Sequence, residues 1–447
     1  MTARRNEAGS ALYFTAAELA ERGKEHIPAE LISNTHLIYS SPATLAFNSP
    51  GAEGFGVKRA GLAVPGSVML IVSPGCCGRN TSMISDMPAY QDRFFYLTMD
   101  ETDVITGRHL KKIPKAVNEI VEYLDELGKK PEVLMICITC VDALLGTDME
   151  RVCRKAEETV DIPVRPCYMY ALTREGRKPP MVHVRQSIYS LLEPRKRKGN
   201  VVDILGFFAP LYDSSELYRL LVQIGVRKVH EIGRCRNLEE YKTMAEANFA
   251  LVLNPEARMA AEDFEKKLSI PSVELIRFYD IERIRRQYRA LGNALGVSFD
   301  DEEFYQAALS EIRELRGRGK LTFSIGECLN ADSFELALAL VQMGFEVCEI
   351  FGTVREDNFV FIQKLAELSP RTKVYSNLHP SMIYYEEKKE ATVDLTIGKD
   401  AGFYHPEIPN VPWNSDRQPF GYDGVVRLVQ ELLQALDETH VKGDVGV

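Results

Sequence analysis

Four of the nine cysteines are grouped, and thiolates are the side chains best suited to holding soft metals. Cys76 and Cys77 lie in Ser73-Pro74-Gly75-Cys76-Cys77-Gly78-Arg79, and Cys137 and Cys140 lie in Ile136-Cys137-Ile138-Thr139-Cys140-Val141-Asp142. Each segment follows a run of consecutive apolar residues, which puts it at the carboxyl end of a strand, where open α/β sheets bind ligands. Gly75 and Gly78 let the backbone bend and admit a bulky inorganic group. Arg79 either balances the charge of an anionic cluster or faces solvent. The bland reading of Cys76 and Cys77 is a pair of buried apolar thiols in a turn. A CxxC alone is compatible with a redox dithiol, half a zinc site or coincidence. No second CxxC or HxxxH accompanies it, so a closed zinc site would need Cys76 and Cys77 as its other ligands, and adjacent cysteines chelate one ion awkwardly. An iron–sulfur cluster held by thiolates from two separate loops fits the arrangement better.

The remaining cysteines (Cys153, Cys167, Cys235, Cys328 and Cys348) are single, and all but Cys235 read as core residues. An odd number in a long chain without a secretory signal is not a disulfide framework. GxxxxGK[ST], GxGxxG, HExxH and GxSxG are all absent, so the chain carries no phosphate-binding loop, dinucleotide fingerprint, zincin helix or nucleophile elbow of its own. The eight histidines are dispersed. A net charge of −10 argues against nucleic acid or an anionic membrane surface as the main partner. No stretch of about 18 apolar residues exists to span a bilayer, and the opening MTARRNEAGSALYF lacks an apolar stretch, so a cytoplasmic protein is expected.

The elements that must position the cysteines are short strands alternating with amphipathic stretches. Candidate strands are 68–73, 133–138, 164–169, 201–205, 229–232, 249–253, 272–276, 321–325, 346–350, 373–375 and 393–397. They are apolar on consecutive positions, as strands covered on both faces must be. The stretch after Asp332 has helical spacing and ends at Gly344, a suitable C-cap. Thr147-Asp148-Met149-Glu150 reads as a capping box with Thr147 as N-cap, so Cys140 falls in a strand-to-helix loop. Basic links at 193–199 and 316–320 divide the 447 residues into 1–198, 199–318 and 319–447. The expected fold is α/β, three Rossmann-like domains with parallel sheets flanked by helices, the first carrying the cluster cysteines.

With these residues in place, the chain resembles the nitrogenase component 1 superfamily, which includes nitrogenase subunits, cofactor-assembly scaffolds and dark-operative protochlorophyllide reductases. PGCCGR is similar to the family's glycine–cysteine turn, CVDALLGTDME to its second ligand segment, and Pro419-Phe420-Gly421-Tyr422-Asp423-Gly424 to its terminal GYDG or GYEG. The resemblance implies Cys77 and Cys140 as cluster ligands, with Cys76 or Cys137 available to complete the set. It implies a 4Fe-4S or larger iron–sulfur cluster at a subunit interface, with Gly75, Gly78 and Arg79 around it. A third family cysteine is missing, since Ser49 stands roughly where it is expected. Asn254 and Val411 occupy the positions that match nitrogenase's cofactor-binding cysteine and histidine, so nitrogenase itself is not expected.

The implied activity is that of one subunit of a nitrogenase-like reductase. It would take low-potential electrons from an ATP-hydrolysing iron-protein partner, pair with a homologous or identical subunit, and reduce a small molecule or cofactor. The alternative is a scaffold on which a metallocluster or cofactor is built. Loop polars Asn254, Glu327, Tyr404, His405 and Asp416 are candidates for lining a pocket, with His405 and Asp416 as proton donors.

Overall fold

A computed structural model describes residues 10–32, 56–75, 82–85, 87–139, 145–169, 178–386 and 392–444, and the structural statements below concern these. Fourteen described strands form three sheets. In chain order they are β1 (Tyr13–Thr15), β2 (Ser67–Ser73), β3 (Phe94–Thr98), β4 (Val133–Ile138), β5 (Val164–Tyr168), β6 (Val201–Leu205) and β7 (Lys228–Glu231). There follow β8 (Phe249–Val252), β9 (Ser272–Glu274), β10 (Thr322–Ile325), β11 (Glu346–Phe351), β12 (Lys373–Tyr375), β13 (Leu395–Ile397) and β14 (Asn410–Val411). All eleven strands expected from consecutive apolar runs are present, with ends shifted by a few residues. The three not expected are β1, the edge strand β3 and the two-residue β14. In β3 every residue is partly or fully exposed, so there is no continuous apolar run to find.

The chain forms two compact units. A two-sheet unit is built from 53–210 and 225–276. Its first sheet has the order β3-β2-β4-β5 and its second β7-β6-β8-β9, all parallel. β2 and β4 are buried along their whole length, which is why SVMLIVS and VLMICI are apolar without alternation. One apolar cluster runs from Met69, Met135 and Cys167 under the first sheet through Tyr189 and Leu192 to Leu205, Tyr241 and Phe264 under the second. The basic link at 193–199 is tied to this unit from outside: Arg197 donates to Ser269 O at 3.0 Å, and Lys198 pairs with Glu246.

The second unit is built from 1–52, 211–224 and 277–447 and holds the six-stranded sheet β1-β12-β11-β10-β13-β14. It is parallel except for β1, which pairs antiparallel with β12. The helix expected after Asp332 spans Ser333–Gln342, with the Asp332 carboxylate accepting from Phe334 N and Glu335 N at 3.0 Å each. Gly344 follows at φ +95°, the left-handed turn only glycine makes cheaply. The link expected at 316–320 is in part helix, since Glu302–Gly317 is one helix and Arg316 Nε donates to Met343 O.

The GYDG segment opens the closing helix Gly421–Asp444. Its first amides are held by Glu216, a fully buried carboxylate that accepts from Tyr422 N at 2.7 Å, Asp423 N at 3.1 Å and the Tyr288 hydroxyl at 2.6 Å. Gly421 has φ +63°, and a Cβ there would lie 1.9 Å from Glu216 Oε1, so both conformation and space demand glycine. Burial raises the Glu216 carboxyl to about 7, against the hydrogen bonds that favour its charge.

Candidate functional site

Each sheet reverses its strand order beside the first of its parallel strands, β2, β6 or β10, and loops leaving the two strands at such a point diverge to open a crevice. In the first sheet the strands are β2 and β4, aligned in register from Ser67↔Val133 to Val72↔Ile138. β2 runs out through Pro74 and Gly75, and β4 through Thr139. The two cysteine segments therefore leave adjacent strands at the same sheet edge. Gly75 is exposed, and no described atom lies within 4 Å of where its Cβ would be. Cys76, Cys77, Gly78, Arg79 and Cys140 lie outside the described residues, as does Ser49. Among the described residues no group of three or more His, Cys, Asp or Glu side chains could hold a metal ion.

Cys137 is wholly buried inside β4, where it is the register partner of Cys167 on β5. The neighbouring Cys167 thiol lowers the Cys137 pKa, and the Lys58 ammonium acts in the same direction against burial, while Cys167 Sγ itself donates to Val57 O at 3.4 Å. Around the exits of β4 and β5 stand Glu150, from the expected capping box, and His183, Tyr168 and Ser187, which were not singled out in the sequence. Glu150, in the helix Met149–Glu157, has its carboxylate 3.7 Å from His183 Nε2. His183 meets the edge of Tyr168 at 4.3 Å between ring centroids, and its Nδ1 lies 3.2 Å from Ser187 Oγ. Burial lowers the His183 pKa. The expected capping box differs in one respect: Asp148 is the N-cap, its Oδ1 accepting from Arg151 N at 2.9 Å. The helix starts one residue later than the Thr-x-x-Glu spacing suggests, because aspartate caps at least as well as threonine.

The corresponding positions of the other two sheets are filled by the chain itself. In the second sheet Gly206, after β6, has φ +122°, and a Cβ there would sit 2.7 Å from Asn254 N. Asn254, after β8, turns its Oδ1 to accept from Glu256 N at 2.9 Å. Arg185, almost completely buried, donates to Gly206 O at 2.8 and 2.6 Å and pairs with Glu256 at 2.9 Å. In the six-stranded sheet a Cβ on Gly326, after β10, would lie 1.9 Å from Asp400 Oδ1. Asp400 accepts from Glu327 N at 2.8 Å, Cys328 N at 3.1 Å and Asn377 Nδ2 at 2.7 Å. Glu327 in turn accepts from Asn377 Nδ2 at 3.0 Å and the Thr353 hydroxyl at 2.8 Å. Burial raises both carboxyls, and for Glu327 the neighbouring charge of Asp400 adds to the rise.

His405 is fully buried, with Nε2 against Glu349 and 3.0 Å from the Tyr385 hydroxyl, which also donates to Glu349 at 2.9 Å. Asp416 is exposed on a loop. Tyr404 stacks on Phe351 at 4.4 Å. The structure thus sets Glu327 into a hydrogen-bonded cluster at a strand-end loop and leaves His405 in the interior. Val411 is buried in β14 and presents no donor atom to a metal. A glycine within two residues of the end of a buried strand is the sequence signal that marks Gly75, Gly206 and Gly326. Asn377 and Asp400 carry no such signal, because only the folded loops bring them together.

A profile of the nitrogenase component 1 type oxidoreductase family matches residues 53–437. Among curated relatives, the nitrogenase iron-molybdenum cofactor biosynthesis protein NifE of Sinorhizobium fredii is 23% identical over 88% of this chain and 82% of its own length. NifE of Klebsiella pneumoniae is 26% identical over 81% of this chain and 84% of its own. Of the solved structures, nitrogenase Cp1 at pH 6.5 superposes with a TM-score of 0.70 at 18% identity, covering 93% of this chain and 96% of that one, a likeness of fold.

Proposed function

The chain belongs to the nitrogenase component 1 type oxidoreductase family, and from that premise we propose that it is a scaffold on which an iron–sulfur-based metallocluster or cofactor is assembled. The observation that carries the reading is the match along most of the chain to several relatives named for iron-molybdenum cofactor biosynthesis. Asn254 and Val411 support it from the residues themselves. Neither offers the thiolate or imidazole that the resemblance places there in nitrogenase, and each has a structural task, one as a cap and one in a strand.

In this reading Cys77 and Cys140 would hold the cluster, with Cys76 or Cys137 as further ligands and Gly75, Gly78 and Arg79 beside it. The adjacent exits of β2 and β4 support ligation from two loops. A cluster there supplies a store of iron, sulfide and low-potential electrons. The partners are a homologous or identical subunit and an ATP-hydrolysing iron protein, and the three-domain division at 198 and 318 belongs to the same proposal. Among the described residues no helix is long and apolar enough to cross a membrane.

The test is anaerobic purification with candidate partner subunits, iron and sulfide quantitation, and EPR of the reduced protein. Wild type is compared with Cys77→Ala and Cys140→Ala. Iron and sulfide should be lost in both variants, and the loaded protein should transfer its cluster to an apo-acceptor. Turnover of a small substrate with an iron-protein donor, without transfer, would favour the reductase reading instead. Stoichiometric zinc would sink both.

A further inference from the structure

The interior of the two-sheet unit holds a polar pair that the apolar strand pattern does not explain. Asp203 on β6 and His230 on β7 are register partners, 0% and 3% exposed. Asp203 Oδ1 lies 2.9 Å from His230 Nδ1, and His230 Nε2 lies 3.1 Å from Thr243 Oγ1. The Thr243 hydroxyl has one hydrogen, and its 2.6 Å contact to Glu240 O takes it. Toward the ring this hydroxyl can only accept, so Nε2 carries a hydrogen. The Nδ1···Oδ1 contact then needs one shared proton. The pair is either a carboxylate with an imidazolium or a carboxylic acid with a neutral imidazole.

Two observations choose between them. Asp203 Oδ2 is buried with no hydrogen-bond partner among the described residues. A carboxylate would leave that oxygen charged and unsolvated, whereas the acid leaves it a neutral carbonyl. The surrounding charges do not reverse this. Lys228 and Lys198 act on His230 in one direction and Glu240 and Glu246 in the other, while Tyr189, Cys235 and Tyr241 are ionisable but uncharged neighbours. Lys228, the cation acting on Asp203, is exposed and screened by solvent.

We propose that Asp203 is a carboxylic acid at neutral pH, donating to Nδ1 of a neutral His230, and that this proton clamps β6, β7 and the Thr243 turn together until alkaline pH removes it. Burial acts in the same sense, holding the Asp203 carboxyl well above its ordinary range and the His230 imidazole down at about 4.

In the unfolded chain these groups titrate near 3.8 and 6.5. Between those values the unfolded pair holds one titrating proton, on histidine, and the folded pair also holds one, so stability is flat. Above 6.5 the unfolded pair holds none and the folded pair still one. Each further pH unit, up to the folded pKa of Asp203, therefore costs about tenfold in the folding constant. Below about 4 the folded pair gains a second proton on His230 and the unfolded pair gains one on Asp203 near 3.8, so the pair leaves stability nearly flat there.

The experiment is nitrogen NMR of the full chain labelled at histidine, with His230 identified by its absence in His230→Gln or its displacement in Asp203→Asn. The expected result is a neutral, Nε2-protonated ring at pH 7. An imidazolium at that pH would overturn the proposal. In parallel, Asp203→Asn presents an amide N–H where the acid O–H stood. It should fold and lose one proton's worth of alkaline decline, seen in denaturant unfolding from pH 6 to 9. Failure of this variant to fold, or an unchanged decline, also counts against the clamp.

Discussion

The three places where strand order reverses are built alike and finished differently. At each, a glycine follows a buried strand: Gly75 after β2, Gly206 after β6 and Gly326 after β10. At the second and third, the space a Cβ would take is already filled, by Asn254 and by Asp400. At the first, no described atom fills it, and the cysteine segments begin there. The second and third switch points are therefore occupied by the chain itself, and the cysteine segments leave the strands at the first. In the other two, the crevice that the topology creates has been consumed by polar side chains satisfying loop amides, which would otherwise be buried without partners.

The strongest way to break the comparison is to put a methyl group at all three glycines. Gly206→Ala forces φ +122° on an L residue and drives Cβ into a backbone nitrogen, and it should cost about 3 kcal/mol or more. Gly326→Ala should be comparable unless the Asp400 carboxylate can swing away. Gly75→Ala should change the stability of the cluster-free chain by less than about 0.5 kcal/mol. Thermal unfolding of the three variants checks this, and a Gly75→Ala as damaging as Gly206→Ala would refute the distinction.

Asp400→Ala sharpens the comparison from the other side. It strips partners from Glu327 N, Cys328 N and Asn377 Nδ2, and should destabilise the six-stranded unit by roughly 2–3 kcal/mol. Hydrogen exchange confined to the loops after β10 and β13 would read the loss.

The same glycine–carboxylate device recurs at Gly421 and Glu216, where it adds a pH dependence. The folded carboxyl sits at about 7 against an ordinary value of 4.5, so the folded state binds more protons across that window. Its contribution to stability is full below 4.5 and is lost as pH rises through 7, at most about 1.4 kcal/mol per unit. Glu216→Gln should flatten that part of the profile in denaturant titrations at pH 5, 6 and 7. A steeper profile in the variant would contradict the burial assigned to this carboxylate.

Smallest of the destabilising changes outside the glycines should be Asp148→Ala, which removes one N-cap beside the cysteine loop and should cost about 1 kcal/mol. A much larger effect on the first sheet would mean that its edge leans on more than this cap.

Strands buried on both faces were legible because an uninterrupted apolar run such as VLMICI has few other uses. β3 and β14 were not, one being an exposed edge and the other held by two register pairs to β13. The cap at Asp148 was misplaced by one residue because Thr147 and Asp148 are both good caps in sequence, and only the hydrogen bond to Arg151 N distinguishes them. His405 looked like a loop histidine, yet the fold turns it inward onto Glu349 and Tyr385.

What the sequence by itself determined was the alternation of strand and helix, the family, and the residue types at the strand ends, because periodicity, glycine and cysteine act within a few residues of the chain. What only the tertiary structure decided was which strand ends are neighbours, and that the chain itself fills the space beside Gly206 and Gly326. Asn254 reaches Gly206 across 48 residues and Asp400 reaches Gly326 across 74. Proximity of that range comes from strand order in a sheet, which local sequence does not encode.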